Sequence, residues 1–524
     1  MLPRLLAAAT LVAAVTLLNP LSVHAQACGT TTTLGCLTAT DVTNAVQGAL
    51  TAISPDTMVV AVVDRAGTPL AVFRKAGAPA TVLGNFGAIV DANDQADGLA
   101  RTGAFFSNDQ APLSSRTVRF ISGIHFPPGT TNKPPAALYG IENTNRGCAL
   151  GALDAVVPRA TSLAGGACTG GAGNQGGCGT GIVTGKADIF DSNPAVVDGG
   201  GVPIFKDGRV AGGIGVTGVT REAGEFAAFT GSVAAGPNFG PAVPFPGAVI
   251  LEGVRLPFVN NTVRPVGVGP GVMTGGFTLG PIPSPAEAGV PSGFLVPPTA
   301  DAVGFLTQAN VNTIVQRAIA QAQRTRAAIR LPLGSATRMV IAVAGLDGTL
   351  LAVFRMPDAT VFSIDVAATK ARNVVYFSGG ARNPGDMPGF PIGFAMTART
   401  IGFGAMPLYP PGIDGTRSGP FFGDFRRDVN NPCSQSQDPT NPGNQSGIVF
   451  FPGSIGIYAG GRLVGGLGVS GDGVEQDDYV SQLGSEGFHP PDELRVDNTV
   501  IVDDKGERVR LPYLKLPRHP EFAR

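Results

Sequence analysis

Apolar residues recur at a helical period near the start of each half of the chain. In the second half they stand at i, i+3, i+4, i+7, i+8 and i+11, which places one apolar stripe along a helix: Val311, Ile314, Val315, Ala318, Ile319 and Ala322. The first half repeats this spacing at Val42, Ala45, Val46, Ala49, Leu50 and Ile53. Thr307 is the predicted N-cap, and Pro55 ends the first helix because proline lacks an amide hydrogen.

Short β-branched runs follow both helices and predict β-hairpins. Val59–Val63 and Met339–Ala344 each lead through a glycine-bearing turn, at Gly67 or Gly348, into the sequence Leu-Ala-Val-Phe-Arg. Alternating strands on either side of such a turn are typical of a hairpin.

A second helix and a second hairpin complete the pattern. The alanine-rich segments Asp97–Phe106 and Asp365–Phe377 predict helices, and the first has about ten extra residues before it. Later, Arg209–Val216 alternates as a closing hairpin strand, preceded by strands around Pro203–Phe205 and, in the second half, Ile455–Tyr458. Helix, hairpin, helix, irregular insert, hairpin and short helix predict an α/β protein of the α+β type, with a central antiparallel sheet covered by helices.

The same phrases occur twice, about 280 residues apart. The matches come in one order: Met58–Arg74 with Met339–Arg355, Leu113–Thr117 with Met396–Thr400, Pro127-Pro128 with Pro410-Pro411, and Gly208–Gly218 with Gly461–Gly471. Units of roughly 180 residues exceed the 20 to 50 residues of solenoid repeats, so we expect two tandem domains. Residues 1–25 are the predicted signal peptide, and the two domains are predicted at 37–235 and 301–485. Residues 236–300 between them are a Pro/Gly-rich linker or ordered wrapping loop, and residues 486–524 are the tail.

The charge balance and the N-terminal sequence limit the expected location and partners of the protein. With 37 basic and 38 acidic residues, the chain lacks the basic footprint of nucleic-acid binding. Arg4, the apolar run Leu5–Leu18 and the small-x-small site at Val23-His-Ala25 predict a signal peptide. The apolar run is shorter than the roughly 20 residues that span a bilayer. We therefore expect an exported protein, periplasmic or extracellular, without a membrane span.

Six cysteines remain after cleavage at this site, and an even number in an oxidising compartment predicts disulfides. Cys28 with Cys36 is one reasonable pair, and two of Cys148, Cys168 and Cys178 form another. The spacing lacks the close C-x-x-C pattern with nearby histidine that marks a zinc site, so no metal site is predicted.

Three phrases of the second half resemble the GlcG/HbpS-like family of haem-binding or haem-degrading proteins, to which the C-terminal domain of PduO-type proteins is related. They are Val340–Val343 with Phe354-Arg355, the helix Asp365–Ala371, and Gly465–Gly471 followed by Glu475-Gln-Asp477. The resemblance covers both halves, and the second is the closer match. In the first half, Leu99 replaces Lys370, and Glu222-Ala-Gly-Glu225 replaces Glu475-Gln-Asp-Asp478.

The resemblance implies a compact α/β unit with an antiparallel sheet, a tendency to form oligomers, and haem or tetrapyrrole binding in some members. It also singles out Lys370 over Arg372, which lies two positions further along the same helix and points to another face. The two halves would then pair within one chain as separate family subunits pair, or the chain would form a homo-oligomer.

Candidate haem ligands lie in the irregular insert between the second helix and the closing hairpin of each half. His125 precedes Phe126-Pro-Pro128, and Tyr409 stands at the aligned position of the second half, so each is a candidate axial ligand. The alternative is a polar loop residue beside a Pro-Pro turn.

Four arginines occupy equal places in the two halves: Arg74 and Arg355 at the hairpin ends, and Arg116 and Arg399 in the Arg-Thr segments. Guanidinium groups suit haem propionates or a small organic acid, and structural ion pairs are an equal alternative. The cofactor-binding candidates are therefore these four arginines with His125, Tyr409 and Lys370. Catalytic residues are unknown, and whether the protein is an enzyme stays open.

Both closing phrases satisfy G-x-G-x-x-G, beginning at Gly213 and Gly466. A dinucleotide site also needs a second strand that ends in an acid, and neither half supplies it. We favour a glycine-rich strand with close backbone packing. The sequence thus predicts an exported tandem-domain protein that binds haem noncovalently for uptake, storage or sensing. The alternatives are a haem-independent binder or enzyme for small organic acids, and a structural or interaction protein of the cell envelope.

Overall fold

The computed structural model describes residues 35–124, 137–156, 181–184, 197–234, 236, 238–240, 249–251, 253–273, 290–409, 417–439, 441–503 and 505–522. The predicted signal peptide, His125, Cys28, Cys168 and Cys178 lie outside these residues. Residues 35–273 are called the first half below, and residues 290–522 the second half. Among the described helices, none has the length and apolarity that crossing a bilayer requires.

The helices and strands of the first half are α1 (Ala39–Ala52), β1 (Val59–Asp64), β2 (Pro69–Arg74), β3 (Thr81–Leu83), β4 (Ile89–Asp91), α2 (Ala92–Phe106), α3 (Ser115–Arg119), β5 (Gly201–Lys206), β6 (Arg209–Thr217), α4 (Arg221–Ala234), β7 (Ile250–Leu251) and β8 (Val254–Arg255). Those of the second half are β9 (Gly293–Val296), α5 (Gln308–Ala322), β10 (Val340–Gly345), β11 (Leu350–Arg355), α6 (Phe362–Ser378), α7 (Ala398–Gly404), α8 (Phe422–Asn430), β12 (Ser454–Ala459), β13 (Arg462–Ser470), α9 (Val474–Gly484), β14 (Ile501–Val502) and β15 (Arg508–Val509).

Each half is built on an antiparallel sheet. The strand orders are β2-β1-β6-β5 and β12-β13-β10-β11-β9. Val59 stands opposite Arg74 and Thr217, and Val340 stands opposite Arg355 and Ser470, so the two registers agree. The predicted α+β class and both kinds of hairpin are confirmed.

Helices pack on both faces of each sheet. In β6, Gly213 and Gly215 face α2, whereas Ile214 between them meets Gly231 of α4. Alternate residues of a strand point to opposite faces, so α2 and α4 cover different sides. The predicted N-cap Thr307 accepts from the Asn310 amide at the start of α5. The first helix ends at Ala52, before Pro55, as the proline predicts.

The second helix of each half begins earlier than its alanine-rich segment predicts. Asp91 caps α2 by accepting from the amides of Asn93 and Asp94. The extra residues before α2 form the small hairpin of β3 and β4. The sequence missed both because a cap and a three-residue strand leave almost no periodic signal.

The described parts of the Pro/Gly-rich segment and of the tail pack against α3 and α7 in the same way. The Thr117 hydroxyl donates to Pro257 O at 2.7 Å, and the Thr400 hydroxyl donates to Pro512 O at 2.7 Å. Arg255-Leu-Pro-Phe258 and Arg510-Leu-Pro-Tyr513 are thus a further matching phrase. Strand β9, which precedes α5, extends the second sheet beside β11.

A disulfide joins the two halves. Cys148 bonds to Cys433 across 285 positions of sequence, so a pair of Cys148 with Cys168 or Cys178 is wrong. The remaining alternative, Cys168 with Cys178, lies outside the described residues. Sequence spacing favoured near neighbours, but the insert of the first half folds against the second half. Nearby, the Tyr139 hydroxyl donates to Ala405 O at 2.9 Å. Cys36 is also in a disulfide.

Candidate functional site

Arg74 and Arg355, which end the two hairpins, donate hydrogen bonds to backbone carbonyl oxygens of nearby segments. Arg355 donates from Nη1 to Val290 O at 2.9 Å and from Nε to Ala359 O at 3.1 Å. Arg74 donates from Nη2 to Pro79 O at 2.7 Å. Each guanidinium therefore binds carbonyl oxygens and closes a turn, as a structural arginine does.

Arg355 is deeply buried, with 5% of its surface exposed. Burial, followed by repulsion from the nearby Arg65, lowers the pKa of its guanidinium to about 9. The side chain is directed into the junction between the halves, where acids that include Asp358 partly offset this effect.

Arg116 and Arg399 bind buried acids on equivalent helices. The Arg116 Nε and Nη2 atoms lie 2.6 and 3.0 Å from the two carboxylate oxygens of Glu225 on α4. Arg399 Nε lies 2.5 Å from Oδ2 of Asp478 on α9. Both acids have fully buried side chains. The geometry matches the structural ion pair, which the sequence left as an alternative to a carboxylate ligand.

Lys370 lies in the core of the second half. Its Nζ donates to Val469 O at 2.8 Å and to Asp477 Oδ2 at 3.0 Å, and it stands 4.9 Å from the centroid of the Phe451 ring. Because Asp477 and Asp478 are consecutive on α9, the structure brings Lys370 and Arg399 to one place. Arg74, Arg116 and Arg355 lie elsewhere.

Tyr409 is 9% exposed and packs edge to face on Phe403. Its hydroxyl lies 3.4 Å from Arg510 O, a long hydrogen bond. Burial, followed by the charge of Asp503, raises the pKa of this phenol to about 12. Tyr409 and His125 as axial ligands stay predictions, since His125 lies outside the described residues.

The G-x-G-x-x-G phrases lie in β6 and β13, except for the last glycine of each, which follows the strand. A Cβ on Gly215 would stand 1.9 Å from Ala96 O, and one on Gly468 would stand 2.1 Å from Ala367 O. The glycines therefore let a helix backbone approach β6 or β13 closely, which confirms the packing interpretation over a nucleotide loop.

A cleft of about 200 Å³ opens in the second half between the β10–β11 turn, the end of α6 and the loop residues 435–439 and 441–445. Asp347, Arg372, Tyr376, Asp438 and Asn444 line it. Ligand pockets for drug-sized molecules span about 300–1,000 Å³, so this cleft suits a smaller polar molecule. Among the described residues, no three His, Cys, Asp or Glu side chains are grouped to hold a metal ion.

Sequence reasoning missed a charged cluster where the halves meet. Arg330 Nη1 lies 2.6 Å from Asp358 Oδ2 and 3.1 Å from Gln110 Oε1. The Asp109 amide donates to Asp358 Oδ1 at 3.0 Å. Asp109 and Asp358 are 249 positions apart, and no local sequence pattern predicts such a contact.

No curated protein matches the chain. Residues 306–486 match the family model "Haem degrading protein HbpS-like". This HbpS-like segment runs from just before α5 to just beyond α9, and it contains Lys370, Arg399 and the 200 Å³ cleft.

Solved structures show weak similarity to the chain. PduOC in complex with haem is 20% identical, covers 34% of this chain and 94% of its own, and has a TM-score of 0.21. The protein ORFY of Klebsiella pneumoniae is 19% identical over 33% of this chain and 87% of its own, with a TM-score of 0.21. A double mutant of Streptomyces reticuli HbpS is 17% identical over 33% of this chain and 80% of its own, with a TM-score of 0.19.

The HbpS-like segment carries a buried pair that the first half lacks. Arg101 and Arg372 each donate from Nε to a turn glycine at 2.9 Å, which aligns α2 with α6. Two positions earlier, Leu99 stands in place of Lys370. Glu225 and Asp478 pair with equivalent arginines, so these two acids also align. The residues that precede them, Gly224 and Asp477, therefore occupy equivalent positions. Both members of the Lys370–Asp477 pair are therefore replaced together.

Proposed function

We propose that this protein binds haem or a related tetrapyrrole noncovalently, with the HbpS-like segment as the binding half. The match of residues 306–486 to a family model of haem-degrading proteins carries the proposal. A binding protein of this kind serves in uptake, storage or sensing. Whether the protein also degrades haem stays open, as a secondary hypothesis.

The candidate residues that the structure describes have partners within the protein. Lys370, Arg355 and Arg399 bind internal partners, and the Tyr409 hydroxyl is directed at a carbonyl oxygen. The 200 Å³ cleft is also smaller than the pockets that hold ligands of this size. No ligand geometry is therefore assigned to these residues.

Export and duplication are part of the proposal. The Cys148–Cys433 disulfide supports an oxidising compartment, where such bonds persist. Equal strand registers and the repeated contacts of Thr117 and Thr400 support two copies of one ancestral domain, although the family model matches the second alone.

A haem titration of the signal-free protein tests the proposal. We expect a saturable, shifted Soret band with one or two sites per chain. Tyr409→Phe and His125→Ala test the two axial candidates, and Tyr376→Phe is the matched control because that buried hydroxyl donates to Asp386 at 2.7 Å. If the wild type gives no specific band, haem binding is wrong. If both candidate variants retain the band, the axial assignments are wrong.

The cleft favours a second candidate function, the binding of a small organic acid without haem. Its walls are polar, which suits a small polar ligand. A rise in melting temperature with small carboxylates would support this function. Gly380 lines the cleft, and a Cβ added there meets nothing within 4 Å, so Gly380→Phe should fill the cleft and abolish the rise. A rise that survives this substitution would place the ligand elsewhere.

A further inference from the structure

Lys370 and Asp477 meet where water has no access. Lys370 is 0% exposed and Asp477 is 2% exposed, and their Nζ and Oδ2 atoms lie 3.0 Å apart. The Phe451 ring covers the amine at 4.9 Å. The second carboxyl oxygen of Asp477 is buried and has no hydrogen-bond partner. An amine and a carboxyl group are therefore held in contact in an apolar environment.

Burial favours the uncharged form of both groups. It lowers the pKa of the Lys370 amine, and it raises the pKa of the Asp477 carboxyl to about 7, although each partner opposes the shift of the other. An uncharged amine is a nucleophile, and lysines become nucleophilic when they are desolvated. An uncharged carboxylic acid has a hydroxyl that can depart as water. Proton transfer within the pair supplies both forms together.

We propose that Lys370 and Asp477 become joined by an intramolecular isopeptide bond. The Lys370 Nζ lone pair attacks the Asp477 Cγ, and the N–C bond forms as the C–O bond to the hydroxyl breaks. The hydroxyl leaves with one amine proton as water, so no oxidant or activating group is consumed. Nζ lies 3.0 Å from Oδ2, the oxygen bonded to the Cγ that it attacks, and such proximity favours the step.

The surrounding contacts suit the amide product. Lys370 Nζ already donates to Val469 O at 2.8 Å, and the remaining N–H of the amide would keep this bond. The reaction also replaces an amine and a carboxyl group whose charged forms are costly to keep away from water. The bond would connect α6 to α9 across 107 positions of sequence.

The first half provides a natural comparison, because Leu99 and Gly224 occupy the aligned positions and have neither group. A second comparison is the Lys206–Asp41 pair, whose Nζ and Oδ2 atoms lie 2.7 Å apart with 16% and 12% of the side chains exposed. This pair has the proximity but keeps contact with water. We expect the bond at Lys370–Asp477 alone.

Mass spectrometry of the purified full mature chain, reduced and denatured, tests the proposal. We expect a mass about 18 Da below the sequence mass, the loss of one water. Trypsin should not cleave after Lys370, and the digest should contain Met356–Arg372 joined to Leu463–Arg495. Peptides that contain Lys206 and Asp41 should stay separate.

The double variant Lys370→Leu with Asp477→Gly reproduces the pair of the first half and should have its full calculated mass. A wild-type mass equal to the sequence mass would overturn the proposal. A loss of water that persists in the double variant would assign it to dehydration elsewhere, such as Asp472-Gly473, and would also overturn it. The wild-type peptide map decides the question even if the variant fails to fold.

Discussion

Arg399 and Asp478 form an ion pair in which the acid is fully buried and the arginine is 15% exposed. Arg116 and Glu225 repeat it in the first half, with the acid again fully buried. In both halves the pair ties the segment after the second helix to the helix that follows the closing hairpin. The geometry of these two arginines therefore matches the structural ion pair.

Arg399→Met should destabilise the protein by about 3–5 kcal/mol, because it leaves the Asp478 charge buried without its partner. Urea denaturation at neutral pH measures the change. Lys515→Met is the control, since the Lys515 side chain is 61% exposed in its pair with Glu475 and should contribute less than about 1 kcal/mol. Equal effects of the two substitutions would contradict the structural role of Arg399.

Replacing both Cys148 and Cys433 with serine should lower stability by about 2–5 kcal/mol, because the bond restricts a very long loop of the unfolded chain. The melting temperature should fall, and added reductant should lower it less in the variant than in the wild type. An unchanged melting temperature would show that the contacts between the halves suffice without the bond.

Asp428 should make stability fall between about pH 4 and pH 8. Burial raises the pKa of its carboxyl to about 8 in the folded protein, whereas an unfolded aspartate titrates near about 3.9. Between these values the folded state holds a proton that the unfolded state has released. The stability that this group contributes is therefore fully present below about pH 4 and is lost as the pH rises through 8. Between these values the free energy of unfolding falls by about 1.4 kcal/mol per pH unit.

Asp428→Asn tests this pH dependence because asparagine keeps the shape and does not titrate. The Asp428 carboxyl oxygens accept from the Asn143 side chain at 2.7 Å and from the Ile448 amide at 2.7 Å. Denaturation midpoints at pH 5 and pH 8 should differ less in the variant than in the wild type. The same pH slope in both proteins would place the titration on other buried acids.

Gly468→Ala should prevent normal packing of α6 on β13, because the new Cβ would lie 2.1 Å from Ala367 O and 2.6 Å from the Ala371 amide nitrogen. Overpacking of a core typically costs about 1–3 kcal/mol, and a clash with two backbone atoms belongs at or above the upper end. Gly380→Ala is the matched control, since its Cβ meets nothing within 4 Å. Thermal denaturation of the two variants compares them directly.

Several helices and strands of the fold could be predicted from the periodicity of apolar residues in the sequence. The stripe from Val311 to Ala322 predicted α5, and the run Met58–Arg74 predicted the β1–β2 hairpin. The glycine phrase was assigned to a strand because it lacked the second strand of a nucleotide site. The partners of single side chains were harder to predict. Whether Arg399 meets a ligand or Asp478 depends on a residue 79 positions away.

The sequence by itself determined the α+β class, the hairpins, the repeated order of elements and the equivalent positions of Arg116 and Arg399, because these depend on local periodicity and on comparison of the chain with itself. Only the tertiary structure decided that Cys148 bonds to Cys433, that Asp109 meets Asp358, and that Lys370 is buried against Asp477. Such contacts join residues 107 to 285 positions apart. They follow from how packed layers bring distant segments together and exclude water, which local spacing does not encode.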